Sequence, residues 1–578
     1  MQDYEASISF LGTWGRFQMK VFFLLCVTCL PAGYNILSVI FLLASPPHQC
    51  YIPAHRNLSQ DWMQASIPLQ VAGQLERSSC SRYELDLVQN LSELGIRPNL
   101  GQIYNYSALG ASAGVMLSSL KQEECKDGWI YSTEHYESTV VTEFNLVCGN
   151  RWKQPLTSLI YFLGGLCGCF LSGQISDRFG RKPVLFGAIA TLSIFSLALK
   201  FAQSWTVFTV LFFMVGMGQL TSYIVLFVLG SEILVGSSRV LYSSMCLPFM
   251  YVFGMMLLPA TAYLVRNWKH LSLLMAMPGL ASLPLWWLIP ESPRWLVSKG
   301  RLQEAELLLK SAALENGVEA PPVIFLSANV QQSDSKKGET LNFLDLLKTK
   351  SIRSVTLILW FLWLSTNVTY FGLSFNMSTL YGNPFLNYFL LSAVELPAYT
   401  VSSLSACRLS RRLSFISFSL LGALALFLIQ VTLHSHPALT LFLVLLGKFG
   451  VLVGTGILYM FTGELSPTVI RNTVMSSCAM LSRVGSSVSP YLLQLAVFYE
   501  FLPWLTVGSL SVISVLVSLF LPESFGKPLP DTIDQMQVIK KFKFKGLCHQ
   551  KVDGNSPGVQ EPAVSETSLS EIKCSTAF

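Results

Sequence analysis

Charge is scarce in this 578-residue chain: Asp, Glu, Lys and Arg together make up 12% of it, while 52% is hydrophobic. Mean hydropathy is +0.49, far from the balance of a soluble globular domain, in which about 25% of residues are charged. A soluble fold is thereby excluded, and no nucleic-acid partner is expected. GxxxxGK[ST] is also absent, which leaves an ATP-driven pump without its phosphate loop. The seven histidines and the acids show no metal-ligand spacing, and no nucleophile stands beside a base, so neither an enzyme nor a metal centre is expected. The first apolar run lacks the flanks of a cleavable signal. It follows the acidic and aromatic "MQDYEASISFLGTWGRF" and is too long for a signal core.

Long apolar runs are what the chain does have. A hydrocarbon core of about 30 Å takes about 20 helical residues to cross. Runs of that order recur at 21–43, 153–175, 183–203, 205–231, 241–264, 270–290, 354–376, 385–406, 413–433, 439–463, 473–498 and 502–521. The expected fold is an all-α membrane protein of twelve transmembrane helices, with the Gly and Pro inside them tolerated where helices are buried. "DRFGRK" at 177–182, Arg239, "CRLSRR" at 407–412 and Arg471 fall between runs on one side, together with the Lys-rich segment 291–353. The positive-inside rule makes that side the cytosol and puts both termini there.

Segment 44–152 is then extracellular. It carries sequons at Asn57, Asn90 and Asn105 and four cysteines, Cys50, Cys80, Cys125 and Cys148, which an oxidising compartment would pair in one of three ways. The expected plan is a cytosolic N-terminus (1–20), a first half (21–290), a cytosolic linker (291–353), a second half (354–521) and a polar tail (522–578). An internal repeat supports the two halves. "GSEILVGSSR" and "TGELSPTVIR" match Glu232 with Glu464 and Arg239 with Arg471, and "IPESPRW" and "LPESFGK" match Glu291 with Glu523, all at an offset of 232. Parallel repeats of this kind build transporters with a solute site between the halves near the bilayer midplane.

The segment "GQISDRFGRK" (173–182) fits GxxxDRxGRK and resembles the loop between helices 2 and 3 of the major facilitator superfamily. Gly180 turns the chain, and Asp177, Arg178 and Arg181, with Glu232, Arg239, Glu464 and Arg471, are candidates for a polar latch that holds one of two packings. "STVVTEFNLVC" (138–148), "PESPRWL" (290–296), the sequon-bearing loop and "TGELSPTVIR" resemble the organic cation, anion and zwitterion transporter family. "MGQLTSY" (217–223), "AVELPAY", "GKFG" (447–450), "SRVGS" (482–486) and "LPESFGKPLPDTIDQM" are similar to its carnitine/ergothioneine branch. The resemblance implies alternating-access transport at the plasma membrane of a zwitterion or organic cation that bears a quaternary ammonium.

Glu395 lies near the centre of an otherwise apolar run, a position costly by about 2.5–3.5 kcal/mol for an ionisable group. Pro397 disturbs the backbone beside it. Lys448 and Arg483 share its depth, so the midplane carries a formal charge of +1. One reading is a buried ion pair that fixes helix packing, Glu395 with Lys448 or with Arg483. The other is recognition of a zwitterion, with Arg483 on the carboxylate and Glu395 plus an aromatic cage on the ammonium. The cage candidates are Tyr223, Tyr370, Tyr459 and Phe461, and the resemblance favours Glu395, Arg483 and Tyr459. Sodium is the candidate coupling ion, at Gln219, Ser222 and Tyr223, although Ala32 and Ser222 stand where the branch carries Asn. Thr576 and Phe578 suit capture in a PDZ groove. Three other readings are a broad organic cation or anion facilitator, a sugar facilitator, and a non-transporting membrane receptor or scaffold.

Overall fold

The computed structural model describes residues 8–524 except 57, 73, 97, 99–119, 322–323, 326–349, 378–379, 381, 434, 468–469, 498 and 500. Asn57, Asn105, Thr576 and Phe578 lie outside the described residues. The chain forms α1 (Arg16–Leu42, with breaks at Cys29 and Leu37), α2 (Lys153–Phe179), α3 (Arg181–Leu199), α4 (Trp205–Ile233), α5 (Ser237–Leu264) and α6 (Trp268–Ser282). After two short helices, Pro293–Ser298 and Leu302–Asn316, come α7 (Lys350–Asn376), α8 (Pro384–Ala393, then Glu395–Arg408), α9 (Arg411–Thr432), α10 (Pro437–Leu465), α11 (Arg471–Val488) and α12 (Leu502–Ser518).

Eight of these, α1–α5, α7, α9 and α10, are long and apolar enough to cross a membrane on their own. The other four fall short for separate reasons. α6 tightens into a 3-10 turn at Leu283–Trp287, α8 is broken at Val394, α11 is rich in Ser and Arg, and α12 is only 17 residues long. The α8 break has a local cause: Pro397 has no N–H to give the carbonyl of residue 393, so the ladder lapses immediately before Glu395. Gly180, at φ +108°, makes the sharp turn from α2 into α3.

α1–α6 pack on one another and α7–α12 on one another, with α2 against α11 and α5 against α8 joining the two groups. Close approach of α2 and α4 depends on small residues: a Cβ on Gly164 would strike the Phe213 carbonyl, and one on Gly216 the Tyr161 carbonyl. At the end of the bundle that bears segment 44–152, aromatic rings close the space between the groups. Phe41 of α1 stacks on Phe385 of α8 at 5.8 Å between centroids and meets Tyr388 at 5.3 Å, while Phe162 of α2 meets Phe371 of α7 at 4.9 Å.

The described residues of segment 44–152 are folded rather than a plain loop. Three antiparallel ribbons pair His48–Cys50 with Trp129–Tyr131, Leu69–Ala72 with Gln74–Arg77, and Ser81–Tyr83 with Gln122–Glu124. Of the three possible connectivities, the structure forms Cys50–Cys125 and Cys80–Cys148. Buried Arg82, in the third ribbon, binds Glu123 of the facing strand at 3.1 Å, Asp127 at 2.6 Å and the Tyr51 carbonyl at 2.8 Å. Asn90 is exposed on the helix Leu85–Glu93.

Gly164→Leu should force α2 and α4 apart at a cost of about 1–3 kcal/mol, the range for overpacking. The thermal midpoint of the detergent-solubilised protein should fall, whereas Gly187→Leu, at a position with open space around it, should leave it unchanged.

Candidate functional site

Midway between the two ends, α7, α8 and α10 bring four polar side chains together inside the second group of helices. Glu395 is 1% and Lys448 1% exposed, and Lys448 Nζ lies 3.5 Å from Glu395 Oε1. The same carboxylate oxygen accepts from Tyr370 Oη at 2.6 Å. Lys448 Nζ donates to Ser374 Oγ at 2.8 Å and sits over the Tyr370 ring, 3.1 Å from its centroid. The geometry follows from helix periodicity. Tyr370 and Ser374 are four residues apart on one face of α7, and the break at Val394 sets Glu395 at the start of a new helical stretch.

Arg483 on α11 stands apart from this pair. It lies within electrostatic reach of Cys169 on α2 and of Tyr223 and Tyr251 on α4 and α5. Its Nε is buried with no hydrogen-bond partner among the described residues. Tyr223 and Tyr251 pack together at 4.9 Å, and Tyr399, four residues beyond Glu395 on α8, is within electrostatic reach of Glu395, Tyr223 and Tyr251. Tyrosines from both groups of helices thus converge between Glu395 and Arg483. Tyr459 is 49% exposed yet within reach of Tyr223, and its ring meets Trp363 at 6.1 Å; it lines the space between the groups rather than the core. Phe461, by contrast, is fully buried in the packing of α7–α12 and presents no face to that space.

Of the residues expected to handle an ion, Gln219 turns its amide nitrogen to the Ala32 carbonyl at 2.9 Å and the Tyr251 hydroxyl at 3.3 Å, and Ser222 donates to the Gln219 carbonyl at 2.8 Å. Tyr251, Tyr399 and Ser374 were not singled out from sequence. Tyr399 and Ser374 follow Glu395 and Tyr370 at helical spacing, which is a usable signal. Tyr251 follows no such pattern.

At the opposite end of the bundle from the aromatic closure, two equivalent ion-pair clusters hold the helix ends. In the first, Arg181 pairs with Asp177 at 2.5 Å and with Glu232 at 3.1 Å, while Glu291 accepts from the Arg181 and Lys182 backbone N–H groups at 3.0 and 3.2 Å. In the second, Arg411 pairs with Glu464 at 2.8 Å, and Glu523 accepts from the Arg411 and Arg412 N–H groups at 2.9 and 3.1 Å. Arg239 and Arg471 make matched contacts: each donates Nε to the carbonyl just past the end of the preceding helix, Leu234 after α4 at 2.9 Å and Ser466 after α10 at 3.3 Å. Arg178 lies over the Phe179 ring at 5.5 Å. In this conformation each cluster ties one group of helices to itself.

Two six-helix groups with matched ion-pair clusters, packed around polar residues at mid-depth, define a membrane transporter of the major facilitator fold. The inward open xylose transporter XylE from E. coli shares that fold, with a TM-score of 0.56 at 18% identity over 68% of this chain and 92% of its own. Residues 103–536 match the model of the sugar (and other) transporter family. The human organic cation/carnitine transporter 2 is 42% identical over 100% of both chains, and the mouse solute carrier family 22 member 4 is 43% identical over 94% of this chain and 96% of its own. The chain belongs to the sugar (and other) transporter family, in the organic cation/carnitine branch of these relatives; it is a transporter and not an enzyme.

Arg411→Ala leaves the partly buried Glu464 without its guanidinium but with its Ser524 hydrogen bond, a loss below the about 3–5 kcal/mol of a fully buried pair. It should lower the thermal midpoint in detergent well below that of Arg178→Ala, which removes an exposed side chain. Equal midpoints would show that the cluster contributes nothing to holding α9 and α10 together.

Proposed function

We propose that this chain is a plasma-membrane carrier for a small zwitterion or organic cation bearing a quaternary ammonium, of the carnitine or ergothioneine kind, moved by alternating access. Full-length likeness to organic cation/carnitine transporters supports the class. The observation that carries the substrate reading is the charge left over at mid-depth. Glu395 is matched by Lys448, which leaves Arg483 with a buried Nε lacking a partner among the described residues. A carboxylate is the group such a planar fork takes best. A trimethylammonium has no N–H to donate and is held by aromatic faces and nearby negative charge. Tyr223, Tyr251, Tyr370, Tyr399 and Tyr459 supply the faces, and Glu395 the charge. A sugar would give the three charges nothing to do.

In this reading all twelve helices cross the bilayer, with the arginine-rich end and both termini in the cytosol and the disulfide-bearing segment outside. The halves 21–290 and 354–521 rock against each other around the midplane. The rings of Phe41, Phe385, Tyr388 and Phe162 close the outer side in this conformation, and half-exposed Tyr459 faces the cytosolic opening. Sodium would have to bind at Gln219, Ser222 and Tyr223. The hydrogen bonds these residues make here are donated by the Gln219 amide N–H and the Ser222 hydroxyl and do not occupy their oxygen lone pairs, so sodium coupling stays part of the proposal: uptake that collapses when external sodium is replaced by a large organic cation supports it, and unchanged uptake removes it. A PDZ scaffold on Thr576 and Phe578 belongs to the same proposal.

Glu395→Gln and Arg483→Ala, made separately and compared at equal surface expression, should each cut uptake of labelled carnitine by at least about tenfold, as expected when one side of a buried charge contact is lost. Unchanged uptake in both would remove the reading.

A further inference from the structure

The ammonium of Lys448 sits where the head group of a cationic solute would be received. Around Nζ are the Tyr370 ring at 3.1 Å, Glu395 Oε1 at 3.5 Å and Ser374 Oγ at 2.8 Å. An aromatic face, a carboxylate and a hydroxyl make a cation site, and the occupant is the chain's own side chain. Lys448 is 1% exposed, so its charge does not escape to water along its stem. Tyr370 Oη donates to that same oxygen of the acid at 2.6 Å, which ties the ring and the carboxylate together independently of the lysine.

We propose that Lys448 is a tethered competitor for the ammonium subsite, and that substrate binds by exchanging partners with it. The solute's quaternary ammonium takes the Tyr370 face and Glu395, and the displaced lysine ammonium, on its flexible four-carbon stem, takes the solute's carboxylate beside Arg483. This rests on the reading that a charged solute is received at this depth, and it adds a rule for which one. A plain cation can displace Lys448 only by stranding a buried ammonium without a partner, a state that is strongly unfavourable. A plain anion can reach Arg483 but leaves the Glu395–Lys448 pair closed. Only a zwitterion brings both the replacement cation and the replacement anion. Selectivity then arises from the unpaired charge left in the wrong complex, not from a better fit in the right one.

The test is uptake of labelled carnitine and of labelled choline, a quaternary ammonium without a carboxylate, normalised to protein at the cell surface. Lys448→Met should lower the carnitine-to-choline ratio by at least about tenfold, with choline uptake rising, because choline no longer strands a charge. Ser374→Ala keeps the charge and only loosens its anchor in the closed pair, so it should raise uptake of both solutes together by about two- to threefold and leave the ratio unchanged. If Lys448 only braces helices, both solutes decline together in both variants and the ratio stays constant, which overturns the proposal. Should Lys448→Met fail to reach the surface, the direction of change in Ser374→Ala decides alone: a rise for both solutes supports the exchange, and a decline for both overturns it. A wild-type protein that accumulates neither solute would overturn the functional reading beneath the proposal, and the proposal with it.

Discussion

Everything at the centre of this molecule depends on one constraint: no charge can be left alone in the low-dielectric interior. Glu395 and Lys448 meet it by pairing across α8 and α10, with Tyr370 and Ser374 taking up remaining hydrogen-bonding capacity. That pair joins three helices of the second group at mid-depth, where side-chain packing alone would not specify which faces must meet. It also makes the arithmetic unequal, because two bases and one acid cannot cancel. The surplus falls on Arg483, which points toward tyrosines of the first group.

The same physics recurs at the end of the bundle opposite the aromatic closure, in a more solvated setting. Arg181 with Glu232 and Arg411 with Glu464 are matched pairs, each fixed further by a glutamate, Glu291 or Glu523, that accepts backbone N–H groups at a helix start. Ion pairs make each group rigid at that end, while aromatic packing between Phe41, Phe385, Phe162 and Phe371 joins the groups at the other. At the bundle's two ends, then, the ties within a group are polar and directional at one end, and the ties between groups are apolar at the other. Such a division suits two bodies that must stay intact while sliding against one another.

Much of this was legible in the chain itself. The twelve apolar runs, the 232-residue repeat and the isolated acid in "AVELPAY" follow from hydropathy and spacing, because the bilayer penalises departures from them heavily. Arg411 was legible only in part: the degraded second-half copy of DRxGRK keeps its Arg-Arg pair, and Glu464 stands at the 232 offset from Glu232, but without the motif's Asp and Gly nothing in the copy singles out Arg411 as the partner of Glu464. The partner of Glu395 could not be chosen from sequence, since Lys448 and Arg483 share its depth and only the rotation of α10 and α11 separates them. Phe461 looked like a cage residue and lies in the core, two positions from Tyr459, because a shift of two residues turns a helical side chain by more than half a turn. Tyr251 entered through packing against Tyr223, a contact that no local pattern announces.

The central claim is that a zwitterion crosses the membrane through this charged centre, and counterflow tests it most directly. Purified protein in vesicles preloaded with unlabelled carnitine, then diluted into a trace of labelled carnitine, should show transient accumulation of label above equilibrium, as a carrier exchanging one substrate for another requires. Label no higher than in protein-free vesicles would contradict the account and favour a membrane receptor or scaffold that retains the fold without transport.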